Sequence, residues 1–187
     1  MPSKSALQTS CPACGASDAK LEFFQMQIPY FGEVMESVLL CGRCGYRNAD
    51  VVVLEEREPA RYTLRIESAE DMYARVIRSS RASIEVPELG VEVTPGSEAE
   101  GFVSNVEGVL LRIEEAVRIA GRWAESGKAR ERARELLRQI NEIRAGKRRA
   151  TLIITDPTGN SAILSEKAKK EVLHEDITGK QKGAQHH

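Results

Sequence analysis

The feature that most constrains this chain is a pair of Cys-x-x-Cys hooks, Cys11–Cys14 and Cys41–Cys44, each followed by a glycine. The hooks contain all four cysteines of the 187 residues and are separated by 26 residues. A two-residue gap lets both sulfurs of a hook approach one ion, and four thiolates suit tetrahedral Zn²⁺. The pattern predicts one structural zinc ion held by Cys11, Cys14, Cys41 and Cys44 in a zinc ribbon.

Two other chemistries use cysteines at this spacing, namely disulfides and a redox-active Cys-x-x-Cys. Disulfides are typical of secreted proteins, and the first ten residues contain no apolar signal-peptide core. A redox motif needs only one pair. Zinc is therefore favoured, and reduced cysteines without an export signal predict a cytoplasmic location.

Composition bounds the remaining possibilities. A hydrophobic content of 41% is enough for a core beyond the ribbon, which alone buries little. The net charge of −1 predicts no general attraction to nucleic acid or to anionic membranes. The longest apolar runs, such as 51–54, are only four residues, so no membrane span is expected.

The chain is rich in short strand patterns. Residues 1–10 are predicted to be a frayed lead-in, and two ribbon strands are predicted at 21–28 and 34–40. In segment 61–67, Tyr62, Leu64 and Ile66 alternate with polar residues, as in a half-buried strand. Several short strands at this spacing favour an antiparallel sandwich, barrel or roll. The other candidate strands are 51–54, 72–77, 82–86, 91–93, 150–155 and 162–164, and 167–178 is expected to add one short element.

Two amphipathic helices are predicted within residues 104–146. Ser104 and Glu107 have the spacing of a capping box at the start of the first helix. Apolar residues then recur every three or four positions, which predicts an antiparallel helical hairpin joined by 123–127. These residues are Val106, Val109, Leu110, Ile113, Val117 and Ala120 in the first helix, and Ala129, Ala133, Leu136, Leu137, Ile140 and Ile143 in the second.

The predicted fold class is therefore mainly β with an α-helical hairpin (α+β). Residues 1–50 are expected to form the zinc ribbon and 51–187 a β-domain that contains the hairpin. The polar segment 179–187 is predicted to be disordered.

The second helix is unusually basic. Residues 128–149 contain nine Lys/Arg and three Glu, a net charge of +6. One interpretation is a footprint for RNA or for an acidic protein surface. The other, which we favour, is a solvated helix face with Arg/Glu pairs at helical spacing. The candidate basic patch comprises Arg130, Arg134, Arg138, Lys147, Arg148 and Arg149.

Two loops are candidate partner-binding sites. The first contains Ile28, Pro29, Tyr30 and Phe31 before Gly32, and its aromatics fit either a contact surface or packing that caps the ribbon. The second comprises Asp156, Pro157, Thr158, Gly159, Asn160 and Ser161. Its polar side chains suit a binding site, whereas a hairpin turn between paired strands is the simpler interpretation, with Asp156 accepting backbone hydrogen bonds.

No catalytic activity is predicted. The histidines His174, His186 and His187 do not make a metal triad, the cysteines are used by zinc, and no Gly-x-x-x-x-Gly-Lys-Ser/Thr loop is present.

Taken together, these motifs resemble the ZPR-type zinc-finger proteins of archaea and eukaryotes. The resemblance rests on the two hooks and on 28–31, 61–64, 70–72, 86–89, 106–108 and 156–161 in this order, and it covers about residues 10–165. Eukaryotic members carry the ribbon and β-domain unit twice, whereas this chain has one copy, as archaeal members do.

The resemblance implies a fold and a function. It implies a β-domain of double-stranded β-helix (jelly-roll-like) type beside the ribbon and the hairpin. It also implies a non-enzymatic protein that binds, and assists the folding of, the translation elongation GTPase delivering aminoacyl-tRNA. The alternative function is an RNA- or nucleic-acid-binding accessory factor of translation or transcription, which the basic helix would serve.

Overall fold

The amino-terminal part of the chain is a four-stranded antiparallel sheet. The structure, a computed structural model, describes residues 3–28, 32–53, 57–96 and 99–173. Strands β1 (Ser3–Thr9), β2 (Ala19–Ile28), β3 (Gly32–Leu40) and β4 (Arg47–Val53) are neighbours in chain order. The two cysteine hooks lie in the β1–β2 and β3–β4 connections, at the same end of the sheet.

The first strand corrects a sequence-based prediction. The lead-in at 1–10 was expected to be frayed, but β1 pairs with β2 from Ser3 opposite Gln25 to Thr9 opposite Ala19. This segment has little apolar alternation, so its strand conformation comes from backbone pairing with a neighbour. The predicted turn at 29–31 lies outside the described residues.

The rest of the described chain forms two further antiparallel sheets. Their strands are β5 (Ala60–Ile66), β6 (Arg75–Arg78), β7 (Ser83–Val86), β8 (Val91–Val93), β9 (Phe102–Asn105), β10 (Ala150–Asp156), β11 (Ala162–Leu164) and β12 (Lys169–Val172). The first sheet has the order β12-β5-β10-β7-β8 and the second β11-β6-β9. Together with the two helices, this arrangement confirms the predicted mainly β fold class.

Two strand predictions differ from the structure at their boundaries. The segment 72–77 was expected to be one strand, but Ala69–Tyr73 is a 3₁₀-helix and the strand begins only at Arg75. The element expected at 167–178 appears as β12, and residues 174–187, with the predicted disordered tail and all three histidines, lie outside the described range.

The helical hairpin is present as predicted, with a different cap. Helix α1 spans Val106–Trp123 and α2 spans Gly127–Arg144. The amino-terminal cap of α1 is Asn105, whose Oδ1 accepts a hydrogen bond from the Gly108 N–H at 2.8 Å. The expected capping box of Ser104 and Glu107 is therefore wrong, because the cap lies one residue later than Ser104. The Arg144 guanidinium, near the end of α2, donates to Glu107 at 2.7 Å near the start of α1, so the helices are antiparallel.

One hydrophobic core joins the three sheets and the helical hairpin. Tyr62, Leu64 and Ile66 of β5 are buried, as their alternation predicts. The base of the hairpin packs on the same core, whereas Ala120 and Ala129 are exposed because its distal half projects away. Four residues of the ribbon sheet also belong to this core, namely Ile28, Val34, Val51 and Val53. The boundary predicted at residue 50 thus lies within β4, and the division into 1–50 and 51–187 stays a prediction.

Neither described helix is apolar enough over its length to cross a lipid bilayer.

Candidate metal centre and interaction surfaces

The two cysteine hooks fold into the same local conformation. In the first, the Cys11 N–H donates to the Ala16 carbonyl at 2.8 Å and the Gly15 N–H donates to the Cys11 carbonyl at 2.9 Å. In the second, the Cys41 N–H donates to the Tyr46 carbonyl at 2.9 Å and the Gly45 N–H to the Cys41 carbonyl at 3.0 Å. Both turns close through a glycine with positive φ, +72° at Gly15 and +75° at Gly45, which explains the glycine after each hook.

The four sulfurs form one cluster of the size that zinc requires. The Sγ atoms of Cys11 and Cys44 are 3.7 Å apart, as are those of Cys14 and Cys41, and all four lie within 4.8 Å of one another. A tetrahedral site with Zn–S bonds of about 2.3 Å has sulfur–sulfur edges of about 3.8 Å. All four cysteines are free of disulfides. The donor set therefore fits zinc, and the predicted zinc site is confirmed.

The protein around the sulfurs favours a charged metal site. Cys11 and Cys41 are buried against Ala16 and Ala19, whereas Cys14 and Cys44 are exposed. Backbone N–H groups of Cys44 and Arg43 donate to the Cys41 sulfur and lower the pKa of this thiol to about 7. Such N–H groups stabilise the thiolate form that binds metal.

The Cys44 thiol differs from that of Cys41 in the direction of its pKa shift. The Tyr46 backbone N–H lowers the pKa of Cys44, but hydrogen bonding with Cys14 and desolvation of the sulfur outweigh this effect and raise the pKa to about 12. Neighbouring thiols thus oppose the ionisation of all four sulfurs together. The positive charge of Zn²⁺ supplies the compensation that four adjacent thiolates need.

The loop at 156–161 is held by buried hydrogen bonds. Asp156 is fully buried and accepts hydrogen bonds from the Ser161 hydroxyl at 2.5 Å and from the Ser79 hydroxyl at 2.9 Å. Its other oxygen accepts from the Thr158 N–H at 2.7 Å, as the sequence predicts for an aspartate at a turn. The hairpin-turn interpretation is nevertheless wrong, because β10 and β11 belong to different sheets and the loop carries the chain from one to the other.

The same loop is attached to the ribbon sheet. Asn160 Oδ1 accepts the Val53 N–H of β4 at 3.0 Å. Val53 pairs with Val34, two residues after Gly32, and Gly32 pairs with Ile28. The structure therefore brings the described ends of the first candidate loop and the second loop to one end of the ribbon sheet.

The candidate partner-binding residues divide by burial. Ile28 is 1% exposed in the core, and Asp156, Gly159 and Ser161 are also buried. None of these four residues is therefore accessible to a partner. Pro157 and Thr158 are exposed and Asn160 is half-buried. Pro29, Tyr30 and Phe31 lie outside the described residues. The partner-binding assignment remains a prediction for the exposed loop residues.

The candidate basic patch is only partly paired. Arg138 forms ion pairs with Glu135 at 2.7 Å and with Glu142, and Arg148 lies 4.0 Å from Glu142. Arg130 donates to the Glu125 carbonyl at 3.0 Å. Within the described part of the chain, Arg134, Lys147 and Arg149 have no ion pair, and all three are exposed. The patch thus consists of separate groups, as the solvated-face interpretation expects.

Sequence reasoning missed two polar connections between residues that are far apart in the sequence. Asp50 of β4 accepts from the Ser80 N–H at 2.9 Å and from the Ser80 hydroxyl at 2.7 Å. Asp71 accepts from Lys167 Nζ at 2.7 Å, across 96 residues of sequence. No local pattern marks such pairs, because each partner is a common surface residue type and only the fold brings them together.

Comparison with known proteins agrees with this architecture. The family model of the ZPR1 zinc-finger domain matches residues 5–57, and that of the ZPR1 jelly-roll domain matches residues 70–182. The first match contains the four-cysteine cluster, and the second contains the hairpin and all of the described strands from β6 onward. The jelly-roll type implied by the resemblance is thereby confirmed.

Relatives of similar length occur in archaea. The chain is 47% identical over 173 residues to an uncharacterized ZPR1-like protein of Methanocaldococcus jannaschii, covering 92% of this chain and 87% of the relative. It is 48% identical over 178 residues to a similar protein of Pyrococcus horikoshii, covering 92% and 80%.

A more distant relative is the zinc finger chaperone zpr1 of Schizosaccharomyces pombe, 30% identical over 159 residues, covering 81% of this chain and 34% of the relative. The names of these relatives describe zinc finger proteins and a chaperone, and none describes an enzyme. With both domain models matched in order and the four sulfurs clustered, the chain belongs to the ZPR1 family.

Proposed function

We propose that this protein is a non-enzymatic, cytoplasmic zinc protein that binds, and assists the folding of, the translation elongation GTPase delivering aminoacyl-tRNA. The observation that carries the proposal is the joint match to the zinc-finger and jelly-roll domains of a family with a member named as a chaperone. The elongation GTPase itself is taken from the family resemblance.

The loops at the end of the ribbon sheet are the proposed contact surface. Pro157 and Thr158 are exposed at the tip of a loop whose base is fixed by the buried Asp156. A rigid base with an exposed tip presents contacts at low entropic cost. Because Asn160 anchors this loop to β4, zinc-dependent folding of the ribbon also positions the contact surface.

The test is capture of the purified elongation GTPase, in its GDP and GTP states, by four forms of the protein after nuclease treatment. The wild type is expected to retain the GTPase, and Cys41→Ser is expected to lose both zinc and the GTPase. Pro157→Glu should weaken capture about tenfold while zinc content stays unchanged. Thr94→Glu, the same change of charge at another exposed position, should bind normally. Failure of the wild type to bind in either nucleotide state would contradict the proposal.

A second candidate function is RNA binding through α2. Arg134, Lys147 and Arg149 favour it, because they are exposed and have no ion pair among the described residues, whereas the ion pairs of Arg138 and Arg144 weaken it. It requires affinity for RNA that falls steeply with salt and is lost when Arg130, Arg134 and Arg138 are neutralised. Binding that is absent or insensitive to salt would remove this candidate.

A further inference from the structure

The distal half of the helical hairpin contains an apolar cleft. A volume of about 200 Å³ lies along the seam of α1 and α2, and most of its wall is apolar. Val117 and Gly121 line it from α1, and Ala133 and Leu137 line it from α2. A Cβ atom placed on Gly121 would lie 2.9 Å from the Ala133 Cβ, so the small residues allow the helices to approach closely here. Val117 and Leu137 stay half-buried, because nothing in the described part of the chain covers the seam.

Four arginines surround this cleft, two from each helix: Arg118 and Arg122 from α1, and Arg130 and Arg134 from α2. Arg118 pairs with Glu114, and Arg122 reaches Glu115 at 3.4 Å with 66% of its side chain exposed. Among the residues that the structure describes, no carboxylate lines the cleft, and Arg130 and Arg134 have no ion pair. The rim of the cleft is therefore cationic on the side of α2.

Exposed apolar side chains also occur on the other side of α1. Trp123, the last residue of α1, is 81% exposed, and Ile119 is 45% exposed. With 3.6 residues per turn, these two positions lie about 120–160° around the helix from Val117 and Gly121, so neither side chain belongs to the cleft.

We propose that this cleft is a docking site for an acidic amphipathic segment of a partner protein. An apolar side chain of the segment would enter between Val117 and Leu137, and its carboxylates would pair with Arg130 and Arg134. Guanidinium groups match carboxylates in paired hydrogen bonds, so the charge of the rim selects an acidic partner.

A protein segment fits this site better than RNA does. The cleft has an apolar wall, and Trp123 is the only aromatic residue after Phe102 in the sequence, so no series of stacking platforms is present. The inference goes beyond the proposed function and does not depend on the elongation GTPase being the partner.

The test measures the fluorescence anisotropy of a labelled peptide as the protein is added. The probe is a synthetic peptide of Glu and Leu at helical spacing, with a fluorophore at its amino terminus. Addition of the protein should raise the anisotropy of the peptide and saturate. The Kd should rise with salt, and Arg130→Glu with Arg134→Glu should weaken binding about tenfold or more.

A matched double reversal serves as the control. Arg65→Glu with Lys169→Glu makes the same change in net charge at exposed positions of β5 and β12, and should leave the Kd unchanged. Zinc content and circular dichroism of both double variants verify that the fold is kept.

Three results would overturn the proposal. One is the absence of any rise in peptide anisotropy with the wild type. Another is equal affinity for a peptide in which every Leu is replaced by Ser, since the apolar cleft would then play no part. The third is binding of labelled poly(U) with equal affinity and equal salt dependence, which would make the rim a general polyanion surface.

Discussion

Asp71 is a carboxylate that the fold keeps charged in a nearly buried position. Its side chain is 5% exposed, accepts hydrogen bonds from the Glu67 N–H at 2.9 Å and the Ser68 N–H at 3.0 Å, and pairs with Lys167. Burial raises the pKa of Asp71, but the bond to Lys167 and the two N–H groups outweigh it and lower the pKa to about 2. The charged form is therefore bound more tightly in the folded chain than in the unfolded one.

This arrangement predicts a loss of stability in acid. Because the folded pKa lies below the unfolded value of about 3.9, the contribution of Asp71 is complete above that value and is lost as pH falls toward 2. The size of the shift corresponds to about 2 kcal/mol. Asp71→Asn should lower the free energy of unfolding by about that amount at pH 7 and by much less near pH 2.

The measurement is urea unfolding of the wild type and Asp71→Asn at several pH values. Glu70→Gln, at the exposed neighbouring position, is the matched control and should change little. An equal destabilisation by Asp71→Asn at pH 7 and pH 2 would show that shape, and not charge, is what the site requires.

At the scale of elements, the start of α1 depends on a single side chain. Asn105 Oδ1 satisfies the Gly108 N–H, one of the four backbone donors that a helix leaves unpaired at its amino end. Asn105→Ala should therefore lower the free energy of unfolding by about 1 kcal/mol. Ser104→Ala, one residue earlier in β9, should lower the free energy of unfolding clearly less. Thermal unfolding of both variants is the measurement. The reverse order would restore Ser104 as the cap.

The 156–161 loop gives a second prediction at this scale. Gly159 has φ +71°, and an added Cβ would lie 2.7 Å from the backbone carbonyl oxygens of both Arg57 and Glu58. Gly159→Ala combines steric overlap with backbone strain, and should destabilise the chain by about 2–4 kcal/mol. Gly127→Ala, at an open position at the start of α2, should be neutral or slightly stabilising. Equal melting temperatures for the two variants would contradict the tight packing of this loop.

These elements also explain what sequence reasoning could and could not predict. The cysteine hooks and the alternation of Tyr62, Leu64 and Ile66 were interpreted correctly, because ligand spacing and strand periodicity are local properties. The pairing of β11 with β6 instead of β10 is a long-range choice, so the loop after Asp156 was mistaken for a hairpin turn. For the same reason the polar β1 was missed, and the cap was misplaced because Ser104 and Asn105 are both good caps.

At the scale of the whole molecule, the ribbon and the β-domain are physically coupled. Val51 and Val53 of β4 are buried in the main core, together with β-domain residues such as Leu64. Hydrogen bonds reinforce this contact. Asp50 accepts one from the Ser80 N–H, and Asn160 accepts one from the Val53 N–H. The zinc site fixes β4 from its other end, because Cys41 and Cys44 directly precede that strand. Zinc binding should therefore stabilise both parts together.

Zinc removal is the experiment that tests this coupling. Structural zinc contributes several kcal/mol or more of folding free energy, so chelation should lower the midpoint of thermal unfolding by about 10 °C or more. In the zinc-bound chain, zinc release and loss of β circular dichroism should share one midpoint. Val51→Ala should lower that shared midpoint for both signals, because it opens a cavity in the common core at a cost of about 1–3 kcal/mol. Val52→Ala, whose side chain is 38% exposed, should shift it far less. If zinc were instead released well below the temperature at which the circular dichroism changes, the ribbon would be an independent unit and β4 would not transmit its stability.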